Sequence, residues 1–286
     1  SAGDFSRGVS QYPSCGSAVH MIDESDLEAI FSRYGDSDFK VGQLTSFENI
    51  GVHLDASSFF GRHAAILGQS GSGKSWTVTS FIQSTLRAMP EAHIILLDMH
   101  GEYGDKQVDG VESQSPFRAS KVRCFRAADL EFPYWLLSFA ELCELLVDPV
   151  DEAASIQISF LRTTMTELKQ ESNEHMNLGH ITVDSPLYYS LEALIKRINS
   201  ANRATTDFGK EKLATYGKFD PLLVRLNSLM SDNRYDFLMS PRKRTSSETL
   251  PDLMRDLVGL GDPKASISVI DLSAVPYDVV PMVAAQ

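Results

Sequence analysis

The run Ala64-Ala65-Ile66-Leu67-Gly68-Gln69-Ser70-Gly71-Ser72-Gly73-Lys74-Ser75-Trp76-Thr77-Val78 decides the fold. A short apolar stretch enters a glycine-rich loop, and the loop opens directly into a helical pattern. Gly68, Gly73, Lys74 and Ser75 stand at the spacing G-x-x-x-x-G-K-[ST] of a phosphate-binding loop. The residue types follow from the chemistry. Glycines let successive backbone N–H groups turn inward at a helix N-terminus, where the partial positive charge favours an anion. A lysine at the position of Lys74 reaches the β- and γ-phosphates, and a hydroxyl at Ser75 ligates Mg²⁺. Gly68, Gln69, Ser70, Gly71, Ser72, Gly73, Lys74, Ser75 and Trp76 are therefore the candidate site for ATP with Mg²⁺. The alternative, a glycine-rich turn before an ordinary helix, requires this pattern to have arisen by accident.

Outward from the loop, Val78, Phe81, Ile82, Thr85 and Leu86 form one stripe of a helix expected over 75–89, which Pro90 ends. The continuous apolar run 93–98 predicts a central parallel strand buried on both faces. Ligands of open α/β sheets sit at the carboxyl ends of strands, so Asp98 and Glu102 are aimed at the nucleotide side. Two readings of Asp98 stand level: with Glu102 it organises Mg²⁺, water or the γ-phosphate, or it caps the turn that follows. A shorter strand is expected over 121–125.

Composition bounds the rest. The 286 residues carry 26 basic and 38 acidic side chains, a net charge of -12, which argues against broad coating of nucleic acid while leaving room for a basic pore. Cys15, Cys124 and Cys143 include no C-x-x-C pair, so neither a disulfide framework nor a zinc site is expected. With no apolar run long enough to span a bilayer and no signal pattern, the expectation is a cytoplasmic protein with no membrane partner.

Upstream, Asp23 to Tyr34 reads as a short capped helix, and Phe39–Leu44 and Ile50–Leu54 alternate like strands. Downstream, 136–147, 151–170, 190–198 and 222–230 are helical, with Ile156, Ile158, Phe160, Leu161, Met165 and Leu168 as apolar positions of the second. The basic cluster Ser240-Pro241-Arg242-Lys243-Arg244 is read as a solvated loop in preference to a DNA contact. A short helix over 250–257, a buried strand over 267–272 and a helix from Tyr277 complete the chain.

The combination of Arg62-His63, the loop through Trp76, and Asp98-Met99-His100-Gly101-Glu102-Tyr103-Gly104 resembles the HerA family of hexameric DNA-translocating ATPases. The specific part of this resemblance spans residues 62–104. It implies a RecA-like P-loop α/β domain over 49–286 with a helical insert at about 136–236, preceded over 1–48 by the remainder of a small β-barrel. It further implies an ATPase acting as a hexameric homo-oligomer on double-stranded DNA threaded through the ring pore, with a partner nuclease or antiphage-defence effector. Lys74, Asp98 and Glu102 then belong to the catalytic site, Ser75 and Asp98 to the metal, and Arg62 senses the γ-phosphate. The family's acidic pair after an apolar strand and its trans-acting arginine have no counterpart here: Asp271 ends a strand, but Leu272 follows it. The resemblance therefore implies that both lie beyond residue 286 and that the chain is trimmed at each end. Two other classes fit the same loop: a regulatory nucleotide switch that moves nothing, and a transport ATPase of secretion or conjugation systems.

Overall fold

Alternation upstream of the phosphate loop produces an antiparallel hairpin. In the computed structural model, β1 (Lys40–Leu44) pairs with β2 (Phe47–His53), Lys40 opposite His53 and Leu44 opposite Phe47, across a two-residue turn. The structure describes residues 8, 12–31, 39–108, 111–113, 115–117, 122–126, 129, 131–205, 213–260 and 264–285. Two compact units divide the chain: residues 1–94 with 116–122, and residues 95–115 with 123–286.

In the first unit, Asp23 accepts the Asp26 N–H at 3.0 Å and so caps α1 (Glu24–Phe31). The expected continuation of this helix through Tyr34 lies outside the described residues. A helix that the sequence reading passed over, α2 (Ala56–Phe60), starts at Asp55, whose carboxylate accepts the Ser58 N–H at 2.6 Å. Its purpose is aromatic packing. Phe59 stacks on Phe81 of α3 (Lys74–Ala88) with ring centroids 5.5 Å apart, and Phe39, 1% exposed, sits against Phe59, Phe60 and Phe81. The stripe expected on α3 is the one turned inward, with Ile82 and Thr85 buried.

In the second unit, three strands form a parallel sheet in the order β3 (Ile94–Asp98), β7 (Ile267–Asp271), β6 (Val122–Arg126). A further hairpin joins β4 (Lys106–Val108) to β5 (Val111–Ser113). The strand expected at the centre of the sheet is not the one found there. Strand β7, flanked on both sides, has Ile267, Ser268, Val269 and Ile270 all buried. Strand β3 lies at the edge and alternates instead, leaving Ile95 48% and Leu97 39% exposed. Likewise 64–67 does not form the expected strand: backbone groups need a ladder partner, and among the described residues none pairs with this run, so Leu67 is 90% exposed. Lys121, the expected first residue of β6, lies outside the described residues.

The helical region forms one apolar core from α4 (Phe139–Leu146), α5 (Ala154–Ser172), α6 (Leu191–Asn202), α7 (Asp220–Ser231), α8 (Asp236–Met239), α9 (Leu250–Leu257) and α10 (Val280–Ala285). Their starts are written locally: Ser138 and Glu141 make a reciprocal capping box on α4, and Ser190 caps α6. Helix α5 buries Leu161, Met165 and Leu168 of the apolar positions named above, and adds polar residues to the inward face. Gln157, Leu161, Thr164, Met165, Leu168 and Lys169 are buried, while Ile156 is 38% exposed. The polar members are satisfied there. Gln157 donates to Asp151 at 2.9 Å and to the Lys218 carbonyl at 2.8 Å. Lys169 donates to the Val183 and Ser185 carbonyls, each at 2.6 Å.

Candidate nucleotide-binding site

The loop before α3 is built from glycine geometry. Gly71 and Gly73 have φ of +79° and +89°, a region that costs other residues strain, and open space surrounds both. Gly68 is required for another reason: a Cβ there would collide with the Ser72 hydroxyl and lie 3.2 Å from Ser72 Cβ. Ser72 N–H donates to the Gln69 carbonyl at 3.2 Å, which closes the turn. Lys74 is the first residue of α3, and its Nζ donates to the Gln69 carbonyl at 2.9 Å. Ser75 follows, half-buried, and Trp76 is 77% exposed. Farther into the helix, Thr77 and Thr79 return their hydroxyls to the Gly73 and Ser75 carbonyls.

The first residues of any α-helix leave backbone N–H groups without intrahelical partners. Here no capping side chain accepts at Gly73, and the left-handed glycines hold the loop open around those donors. A polyphosphate fits this arrangement. Lys74 rests on the loop's own carbonyl, a neutral acceptor, and a phosphate oxygen in its place would be a charged one. Arg62 lies six residues before Gly68, exposed, in the turn that ends α2.

The second unit contains the other candidate element, Asp98 to Gly104. Asp98 ends β3 and is 2% exposed. Its Oδ1 accepts the His100 and Glu102 N–H groups at 3.3 and 2.9 Å, and its Oδ2 accepts that of Tyr103 at 2.8 Å. The carboxylate thus gathers three backbone donors of the following turn. Gly101 has φ of +63°, and a Cβ there would stand 3.2 Å from Ser273 Oγ and 3.3 Å from Asp271 Oδ1. Only glycine lets the turn approach the end of β7 so closely. Leu272 N–H donates to the Asp98 carbonyl at 2.9 Å, so the two aspartate-ending strands are locked side by side. Glu102 is exposed. Behind the turn, Ser115 Oγ donates to the Tyr103 carbonyl at 2.8 Å. Burial pushes the Cys124 thiol upward, and Asp105, Asp98 and Asp271 add to the effect; the backbone of Asp105 opposes it.

Within the second unit, then, Asp98 and Glu102 share one turn beside Asp271, whose proximity to Gly101 the sequence does not show. The basic cluster at 240–244 divides. Arg242 and Lys243 are exposed, as a solvated loop requires, but Arg244 is structural. Its side chain is 12% exposed, donates to the Thr249 carbonyl at 3.1 Å and faces Asp256, which also pairs with Arg123 at 2.9 Å. Partners five and twelve residues downstream were the available signal.

Fold and loop together define an α/β protein of the P-loop nucleotide-binding class. Residues 39–286 match the family described as the central domain of helicase HerA, and the chain belongs to that family. It is 30% identical over 163 residues to a probable helicase of Methanocaldococcus jannaschii, covering 57% of this chain and 28% of the relative. It is 29% identical over 167 residues to the DNA double-strand break repair helicase HerA of Sulfolobus acidocaldarius, covering 58% of this chain and 29% of that protein. The HerA helicase of Saccharolobus solfataricus matches 79% of this chain at 24% identity, over 41% of its own length. The chain thus spans well under half the length of these relatives. Among the described residues, no helix is long and apolar enough to cross a membrane.

Proposed function

We propose that this chain is the ATP-binding core of a DNA-translocating motor that works in the cytoplasm as a hexameric ring, with duplex DNA in its pore and a nuclease or defence effector as partner. The observation that carries the reading is the open phosphate loop, with its left-handed glycines and Lys74, in a chain of the HerA family. The relatives named as DNA double-strand break repair helicases support DNA as the substrate.

Bound ATP with Mg²⁺ supplies the phosphoanhydride bond and the charge neutralisation that its hydrolysis needs. The residues divide the work. Backbone donors of 68–76 and Lys74 hold the phosphates. Ser75 would hold the metal. Asp98 builds the turn that carries Glu102, and the two would organise the hydrolytic site. Arg62 senses the γ-phosphate.

The test is steady-state ATP turnover by the full-length protein with and without duplex DNA, beside its mass in solution with ATP. Turnover stimulated by DNA in a hexamer is the expected result. Nucleotide binding with turnover indifferent to DNA would replace the motor by a regulatory switch.

A further inference from the structure

The chain has two tryptophans, and the structure treats them in opposite ways. Trp135 is 1% exposed, and its indole N–H donates to the Arg244 carbonyl at 3.0 Å. Trp76 is 77% exposed, and among the described residues no aromatic ring or cation stacks on it. An indole is a large apolar surface, most stable when covered. Here it stands in water at the third position of α3, directly after Lys74 and Ser75.

Helix geometry sets where it lies. Side chains of an α-helix lean toward the N-terminus, so a residue covers the surface of the turn before its own Cα. Trp76 therefore lies over the first turn of α3, the end that receives the phosphates. Lys74 takes the β- and γ-phosphates and the loop backbone the α- and β-phosphates. The base follows one ribose beyond the α-phosphate, and an uncovered flat apolar face beside the same loop matches it.

We infer that Trp76 is the base-stacking face of the nucleotide site, where its indole covers the nucleobase of the bound triphosphate. This rests on the phosphate-loop reading above and adds a second point of attachment to it. Because every base has a π-face, stacking of this kind adds affinity without selecting among purines.

The test uses the full-length protein with Mg²⁺ and three ligands: ATP, GTP and inorganic triphosphate. Affinities are measured by calorimetry for wild type, Trp76→Ala and Trp76→Phe. Trp76→Ala weakens ATP and GTP binding by roughly 5- to 150-fold, the range for losing one base–aromatic stack, and leaves triphosphate unchanged. Trp76→Phe keeps most of the affinity. In wild type, ATP changes the emission of the exposed tryptophan and triphosphate does not. The alanine variant folds, since the site is exposed and alanine is the better helix former. Equal ATP affinity in wild type and Trp76→Ala overturns the inference, as does a matching loss of triphosphate affinity. Failure of wild type to bind either ligand removes the phosphate-loop reading, and the stacking face with it.

Discussion

Two glycine turns, one in each unit, handle the same problem in opposite ways. At 68–75 the backbone N–H groups gather at the end of α3, with no side-chain cap and two left-handed glycines keeping the space open. At 98–103 the donors also converge, but the chain supplies its own anion: Asp98 accepts three of them while buried. The first turn has no capping side chain, and the second supplies its own anion. The lysines repeat the contrast. Lys74 rests on one carbonyl of its own loop, whereas Lys169 is 1% exposed and held by two carbonyls of another segment. Polar groups left open point to ligand chemistry; polar groups closed on one another point to architecture. Each prediction below sets an open group against a closed one.

The largest effect belongs to Lys74. Lys74→Ala removes the charge that meets developing negative charge on the phosphates, and losing one such group costs about 10²–10³ in turnover. Stability stays near wild type, since Lys74 Nζ has only a loop carbonyl to lose. Turnover and urea midpoints of the two proteins check this. Retained turnover in the folded variant would break the contrast at its open end.

Lys169 tests the closed end through pH. Burial lowers its pKa from 10.5 to about 8, against a smaller raising effect from Asp184. The unfolded chain then binds more protons than the native one between about pH 8 and 10.5, so this group's contribution to stability rises across that window. Below pH 8 the folded protein carries a buried ammonium at full cost. Above it, a neutral amine still has two N–H groups for the Val183 and Ser185 carbonyls. Relative to Lys169→Met, which has no such titration, wild type gains roughly 2–4 kcal/mol between pH 7 and 10.5. Urea unfolding of both proteins across that range measures the difference. A gap that stays constant with pH means that Lys169 keeps its ordinary pKa in the folded protein.

These cases show where sequence is readable. The phosphate loop was, because its chemistry lies within eight consecutive residues, and α3 begins within a residue of its expected start. The edge position of β3 was not: strand order depends on a partner 173 positions away, and apolar composition alone suits an edge or a centre. Nor was the inward face of α5, since hydropathy places Gln157 and Lys169 outside and only distant carbonyls at 183, 185 and 218 explain them inside. Asp98 fell between. Capping and catalysis want the same residue at the same strand end, and only the distances to His100, Glu102 and Tyr103 reveal the cap.

The sharpest separation comes from Asp98 and Glu102 together. Asp98→Ala leaves the N–H groups of His100, Glu102 and Tyr103 without their anion, which costs at least roughly 1.5–3 kcal/mol, the worth of a single hydrogen bond to a charged group. Turnover falls with it, because Glu102 loses the turn that carries it. Glu102→Ala removes an exposed side chain and leaves stability within about 0.5 kcal/mol, yet lowers turnover more than it weakens ATP binding, as a group acting in the transition state does. Unfolding, ATP affinity and turnover on both variants give three readings each. If Glu102→Ala hydrolyses ATP normally while Asp98→Ala is merely unstable, the whole Asp98–Gly104 element is architecture, and only the phosphate loop remains as chemistry. If Glu102→Ala is folded, binds ATP and fails to turn it over, the closed turn exists to hold one catalytic carboxylate.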